Sequence, residues 1–492
     1  MRICTPEQAG ISSAQVRKFY EMLEAYHIPV HSVILARGDS VFSECSWAPF
    51  HKDFKHRMYS TTKSFVAVAI GFCEQDGLLS LDDPIAKFFP EYIAREGAAQ
   101  HTSTVRELLS MESTIRGVHW FLPSVTDRVA TYFECQPTKY PNTLFDYDSA
   151  GSFMLGVIVE KLTGKPFLQY LQEKFLTEIG FSEDAYCLKA VGGYSWADSG
   201  ILCTARDLLL FARFLLNKGT FNGKRYLNEK FMRDMVTMRV CNSDFDFVAH
   251  DTFGYGYQLW GMARGCFSTF GMGCQVGFCD PKHDLIFVIN ADTQGNVHGY
   301  EQIFDALYRN ILDHVSEDGA ALPPAEDENR TLEAWLSERK LFSLTGKSES
   351  DFAEKINGVT FVAERNPMKI KWFRLEFDGG EGEFHYENAQ GVKCIPFGFG
   401  HNVFDQFPEE GYSDMVGNES APGNTYRAAF SADWPEERKL RIRVQIIDKY
   451  FANLALVFGF RDGEHVSVRM TKIAENFLNE YNGTMNAVKQ RG

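Results

Sequence analysis

The run Met58-Tyr59-Ser60-Thr61-Thr62-Lys63-Ser64-Phe65 leads from a polar start into the apolar stretch 65–72, the pattern of a helix with chemistry in its first turn. Ser60 and Lys63 lie three residues apart, so a helix places them on one face. A serine hydroxyl attacks a carbonyl only when its proton is removed, and a desolvated lysine amine beside it can remove that proton. Backbone N–H groups at a helix start also face a developing oxyanion. The plain alternative is an N-capping serine followed by a surface lysine. Downstream, Phe145-Asp146-Tyr147-Asp148-Ser149 precedes a second helical pattern. A phenol near a lysine can relay a proton to and from the serine, whereas the plain reading of Tyr147 is a core tyrosine.

Ser-x-x-Lys followed by Tyr-x-Ser, in this order, resembles the serine β-lactamase and penicillin-binding-protein superfamily, specifically class C β-lactamases and related esterases. Further words agree: Asp76-Gly77-Leu78-Leu79-Ser80, Thr104-Val105-Arg106-Glu107-Leu108, Ser199-Gly200-Ile201-Leu202-Cys203 and Gly254-Tyr255-Gly256-Tyr257-Gln258-Leu259-Trp260. The resemblance spans about residues 6–315. It implies an α+β fold, an antiparallel sheet flanked by helices with a helical subdomain inserted. It also implies Ser60 as nucleophile and Lys63 and Tyr147 as its catalytic partners, with Ser149 hydrogen-bonding the lysine or the substrate.

The family's third motif is Lys-Thr-Gly or His-x-Gly on a strand near Asp280-Pro281, and the matching triplet is Thr269-Phe270-Gly271. The cationic position is thus replaced by Thr269, while Gly271 keeps close backbone approach open. By resemblance the N–H of Met272 joins that of Ser60 as oxyanion donor. Ser149, Thr269, Phe270, Gly271 and Trp120 form the expected substrate-binding set, with Phe121 as a further wall. A cation at that position holds a substrate carboxylate by charge-assisted hydrogen bonds. Its loss favours an esterase or amidase acting on a small neutral or partly apolar acyl substrate. Open alternatives are an acyltransferase using the same acyl-enzyme, a weak β-lactamase or D-peptidase, and a non-catalytic binding or sensing module. The α/β-hydrolase word Gly-x-Ser-x-Gly is absent, Gly193-Tyr194-Ser195-Trp196-Ala197 being a near approach.

The elements that must position these residues are legible from periodicity. Strands are expected at 33–36 and 40–45 as a hairpin and at 285–290, and helices at 60–75, 105–111, 150–162, 206–216 and 300–315. A chain of 492 residues exceeds one ordinary core, which stops growing near roughly 250–300 residues. The acidic, Pro-containing stretch from Glu317 marks the expected boundary. The expected division is a hydrolase domain at 1–316, a linker with a short helix at 317–345, and a small, mainly β domain at 346–492. That last part alternates aromatic and β-branched residues with charges, as at 369–377 and 440–447, and reads as a lid, dimer contact or stability module.

Composition excludes other classes. The hydrophobic fraction of 45% and charged fraction of 23% are those of a folded globular chain. A net charge of −15 opposes binding to nucleic acid or an anionic membrane. No signal peptide and no span long enough for a bilayer are seen, and 11 cysteines without Cys-x-x-Cys read as reduced thiols, so a cytoplasmic location is expected. His51, Asp53 and His56 form no zinc pattern, and neither metal nor cofactor is expected. The expected partner is a small-molecule substrate, with oligomeric state left open and a homodimer among the options.

Overall fold

Two apolar runs that read as strands, 33–36 and 285–290, become the buried centre of a seven-stranded sheet in the computed structural model, which describes residues 1–95, 97–99, 101–115, 124–243, 253–417, 419–475 and 477–491. The chain divides into two units: Met1–Lys340 with Asp414–Gly417, and Leu341–Ser413 with Asn418–Gly492.

In the first unit the strands are β1 (Arg2–Ile3), β2 (Val30–Arg37), β3 (Ser40–Ser46), β4 (Trp260–Gly261), β5 (Phe267–Gly271), β6 (Gln275–Asp280) and β7 (Leu285–Ala291). Their order is β1-β3-β2-β7-β6-β5-β4, antiparallel throughout except β1 beside β3. The expected hairpin is β2–β3, with Arg37 opposite Ser40 across the tight Gly38-Asp39 turn. Strand periodicity sends Val33, Leu35, Phe287 and Ile289 to one face, where they join Phe19, Ile303 and Phe304 in a single core. Those last three belong to α1 (Ser13–Ala25) and α5 (Gly299–Leu307). Ile34, Ala36, Ile286 and Val288 point to the other face, which α4 (Ala205–Leu216) covers. Burying each such side chain stabilises the fold by about 1.5–3 kcal/mol. Both faces are covered, which is why β2 and β7 read as unbroken apolar runs rather than as alternation.

Helix α2 (Thr62–Gln75) is buried on all sides from Thr62 to Cys73 and packs against α3 (Ser149–Thr163). A helix apolar all round belongs inside a protein, so the run after Ser60 fixes that turn deep in the unit. The helices expected at 105–111 and 300–315 are shorter α segments, Val105–Leu109 and Gly299–Leu307, the latter continued by a π-helical turn at Tyr308–Leu312. Among the described residues no helix is long and apolar enough to cross a membrane.

The acidic stretch 317–340 packs with the first unit, and the division falls between Lys340 and Leu341. Within it α6 (Glu326–Ser337) lies against α1, burying Leu332 and setting Trp335 6.1 Å from Tyr20, ring to ring. Its acidic first turn suits the positive end of the helix dipole. The second unit is a closed β-barrel of nine strands with the strand Val403–Tyr412 paired alongside. Neighbours are antiparallel, and closure is made by a short parallel contact, Gly398 with Ser431 and Phe399 with Ala432. Along Glu381–Asn388 the alternation is strict: Gly382, Phe384, Tyr386 and Asn388 are buried while Glu383, His385 and Glu387 face outward.

Candidate active site

The turn that carries Ser60 is held from both sides. A three-stranded sheet pairs His56–Arg57 with Ile201–Cys203, and Ile201–Cys203 with Tyr186–Cys187. Met58 N–H donates to the Ile201 carbonyl at 2.8 Å, and Ile201 N–H donates to Thr62 Oγ1 at 3.2 Å. Between these anchors Tyr59 takes φ +45°, a left-handed conformation costing a residue with a side chain about 1–2 kcal/mol. Its ring is fixed under the Arg57 guanidinium, 4.2 Å from the centroid, and the same guanidinium lies 4.2 Å from the Trp196 ring. Tyr59–Thr61 forms a 3-10 turn and α2 follows, so Ser60 sits half-buried just ahead of the helix.

Lys63 is almost fully buried, and its Nζ donates to Ser60 Oγ at 2.8 Å and to the Asp198 carbonyl at 2.8 Å. The ammonium also lies 5.1 Å from the centre of the Tyr147 ring. Tyr147 is stacked on Trp260 at 5.4 Å, and Trp260 meets Tyr255 edge-on at 5.0 Å, so the word 254–260 supplies the wall that orients the phenol. The three residues expected to carry the chemistry therefore converge on one point.

Ser149 opens α3 as its first residue and is half-buried, its hydroxyl making no hydrogen bond among the described residues. Lys63 turns to Asp198 instead. Asp148 caps this helix, accepting from the N–H groups of Ala150 and Gly151 at 2.9 Å each. Burial pushes the Asp148 carboxyl up to about 6, against the pull of those two N–H groups and of Arg128, and Asp198 adds to the rise.

Gly271 closes β5 against the nucleophile turn. A Cβ built there would lie 2.2 Å from the Met58 carbonyl oxygen, so only glycine lets the strand come this close. The next residue, Met272, is half-exposed, and among the described residues neither its N–H nor that of Ser60 has a hydrogen-bond partner. The turn after Met272 runs through Gly273 at φ +78° and Cys274 at φ +73°. Gln275, fully buried, donates from Nε2 to the carbonyls of Met272 (3.2 Å) and Ala291 (2.6 Å), and its Oε1 accepts from Asn290 Nδ2 at 2.9 Å.

Thr269 requires a correction. It is fully buried, and its Oγ1 accepts from the Gly277 N–H at 3.0 Å and from Thr61 Oγ1 at 3.3 Å. Strand alternation turns it into the layer between sheet and helices, where its hydroxyl is already engaged by protein groups. Phe270 points the opposite way, edge-on to Tyr300 at 4.6 Å, and packs on the core while keeping part of its surface exposed. Trp120 and Phe121 lie outside the described residues.

Three supporting residues, Asp198, Arg128 and Gln258, are not singled out by the sequence reading. Asp198 holds Lys63 through its main-chain carbonyl, a role any side chain could fill. Its own carboxylate forms a buried, two-pronged ion pair with Arg128, at 2.6 and 3.0 Å, which pins the carbonyl in place. Gln258, with φ +56°, lies inside a family word; its side chain bonds Ser152 Oγ and the carbonyls of Leu108 and Leu109, while its carbonyl accepts from Ser64 Oγ. It ties α2, α3 and the Val105–Leu109 helix together one turn behind the reactive groups.

A sheet whose strand end abuts a serine-bearing helix start, with a lysine and tyrosine gathered over that serine, is the arrangement that the resemblance to serine β-lactamases and penicillin-binding proteins implies. The chain belongs to the beta-lactamase family, whose model matches residues 16–308, and so to that superfamily of serine hydrolases. Among relatives it is similar to the 6-aminohexanoate-dimer hydrolase of Paenarthrobacter ureafaciens, 25% identical over 52% of this chain and 70% of that protein. It is 22% identical to Protein flp of Staphylococcus aureus strain N315 over 36% of this chain, spanning only 38% of that protein's length. Among solved structures, the octameric penicillin-binding protein homologue from Pyrococcus abyssi is similar at a TM-score of 0.50 and 16% identity, covering 96% of this chain and 99% of that one.

Proposed function

We infer that the protein is a serine amidase or esterase that forms an acyl-enzyme on Ser60 with a small neutral or partly apolar acyl group. The observation that carries this reading is Lys63 Nζ, set 2.8 Å from Ser60 Oγ with the Tyr147 ring over it. Ser60 Oγ attacks the substrate carbonyl carbon, and its proton passes to the Lys63–Tyr147 pair. The N–H groups of Ser60 and Met272, both without an acceptor among the described residues, take the oxyanion. As the tetrahedral intermediate collapses, the C–N or C–O bond breaks and the pair returns the proton to the leaving amine or alcohol. Water then attacks the acyl-enzyme by the reverse proton path and releases the acid.

The preference for a neutral substrate rests on charge. Residues 265–281 contain no lysine, arginine or histidine, so whichever residue occupies the third-motif position, no cation stands there to hold a carboxylate. The 6-aminohexanoate-dimer hydrolase relative supports an amide as the bond cleaved.

The test is labelling with a fluorophosphonate, with mass mapping of the adduct, alongside turnover of p-nitrophenyl esters and of a panel of small amides that includes the 6-aminohexanoate dimer. Labelling and turnover that vanish in Ser60→Ala are expected. A wild-type chain that neither labels nor turns over any of them sinks the reading in favour of a binding module. Acylated acceptor in place of free acid, when alcohols or amines are added, identifies an acyltransferase.

A further inference from the structure

On the outer face of the barrel, three adjacent strands gather a thiol, an imidazole and two carboxylates. His385 and Glu383 lie two apart on the strand Glu381–Asn388, so both project outward. Cys394, on Gly391–Phe399, stands directly across from His385, and Glu376, on Trp372–Asp378, stands directly across from Glu383. One ligand atom each from Glu383, His385 and Cys394 lies within 4.8 Å of the other two. His385 Nε2 is 2.8 Å from Glu383 Oε2 and 3.6 Å from Glu376 Oε2. That nitrogen is shielded from solvent and makes no hydrogen bond among the described residues, although carboxylate oxygens surround it.

The arrangement suits a cation. Glutamates directly opposite one another on neighbouring strands repel, and the basic groups beside them are Arg374, 2.7 Å from Glu376, and His385, 2.8 Å from Glu383, facing two carboxylates and a thiol. Cys394 adds a half-buried thiol that makes no hydrogen bond among the described residues. We propose that Cys394, His385 and Glu383, with Glu376 closing the fourth position, form a binding site for a zinc-like divalent transition metal on the barrel wall. A thiolate with an imidazole and carboxylates selects zinc or cobalt over magnesium and calcium, which prefer oxygen alone. Tetrahedral zinc with bonds of about 2.0–2.3 Å needs donor atoms about 3.3–3.7 Å apart, a contraction that small side-chain rotations supply. Four donors on three hydrogen-bonded strands also explain why no spacing in the sequence announces the site: each strand contributes one or two ligands, and only the register of the sheet brings them together.

The full chain, stripped with a chelator and titrated with cobalt(II), tests the site. One equivalent is expected to bind with a near-ultraviolet sulfur-to-cobalt charge-transfer band, competed away by zinc. Cys394→Ser should abolish the band, and His385→Gln should weaken cobalt binding roughly tenfold or more, each with an unchanged far-ultraviolet circular dichroism spectrum. The proposal is overturned by a wild-type chain that takes up no cobalt, by a band that survives in Cys394→Ser, or by His385→Gln binding as tightly as wild type. Ser60 takes no part in any of these readouts, so they are independent of the hydrolase reading.

Discussion

Gly271 meets Met58 so closely that a single methyl group on the glycine would stand 2.2 Å from the Met58 carbonyl oxygen. Met58 leads into the nucleophile turn and Gly271 leads into Met272, so this one contact sets the distance between the two expected oxyanion donors. Gly271→Ala forces the strand and the turn apart. It should lower stability by about 1–3 kcal/mol through overpacking and depress ester turnover by a larger factor than the stability loss explains. Urea unfolding beside steady-state kinetics measures both, and wild-type kcat in this variant would show that the spacing is immaterial.

Lys63 and Tyr147 act, in the proposed mechanism, only on protons. Lys63→Ala and Tyr147→Phe should each lower kcat/KM toward p-nitrophenyl esters by about 10²–10⁴-fold, the range for loss of a positioned acid or base. Far-ultraviolet circular dichroism should remain unchanged for Tyr147→Phe, which keeps the ring stacked on Trp260. Full activity in either variant removes that residue from the mechanism.

From sequence alone, replacing Thr269 with lysine is expected to restore a carboxylate-binding cation. The structure reverses that expectation. Thr269→Lys takes away the acceptor used by the Gly277 N–H and buries an ammonium without a partner. A stability loss of about 3 kcal/mol or more, with no gain in affinity for carboxylate-bearing β-lactams, is the outcome to look for. A stable variant with such a gain would mean that the side chain reaches the substrate after all.

Asp148 links the site to pH. Its carboxyl is raised from 3.8 to about 6 in the fold, so the stabilising, protonated form is fully present below about pH 4 and is lost as pH rises through 6. Asparagine caps a helix as well as aspartate and carries no charge. Asp148→Asn should therefore gain on wild type by up to about 3 kcal/mol between pH 4 and pH 7 and hold a constant difference above that. Unfolding curves for the two proteins that run parallel across this range would refute the burial argument.

What the sequence determined by itself is local. A polar start running into an unbroken apolar stretch specified a buried helix with Ser60 at its head, and the fixed rise of that helix put Lys63 beside it. Order along the chain added Tyr147, and period-two alternation after residue 346 marked a β domain. The tertiary structure decided everything that depends on which face a strand presents and which backbone atoms meet. Thr269 faces the buried layer because β5 pairs with β6 in one register, and a shift of a single residue would have turned it to the opposite face, where Phe270 meets Tyr300. Lys63 is anchored by the Asp198 main-chain carbonyl, a group that every residue type carries and that no pattern of side chains reveals. The helical boundary behaves alike: 317–345 reads as a linker with a short helix, and only the structure shows that this helix, α6, docks on α1 by burying Leu332, because one apolar stripe suffices to dock an otherwise charged helix.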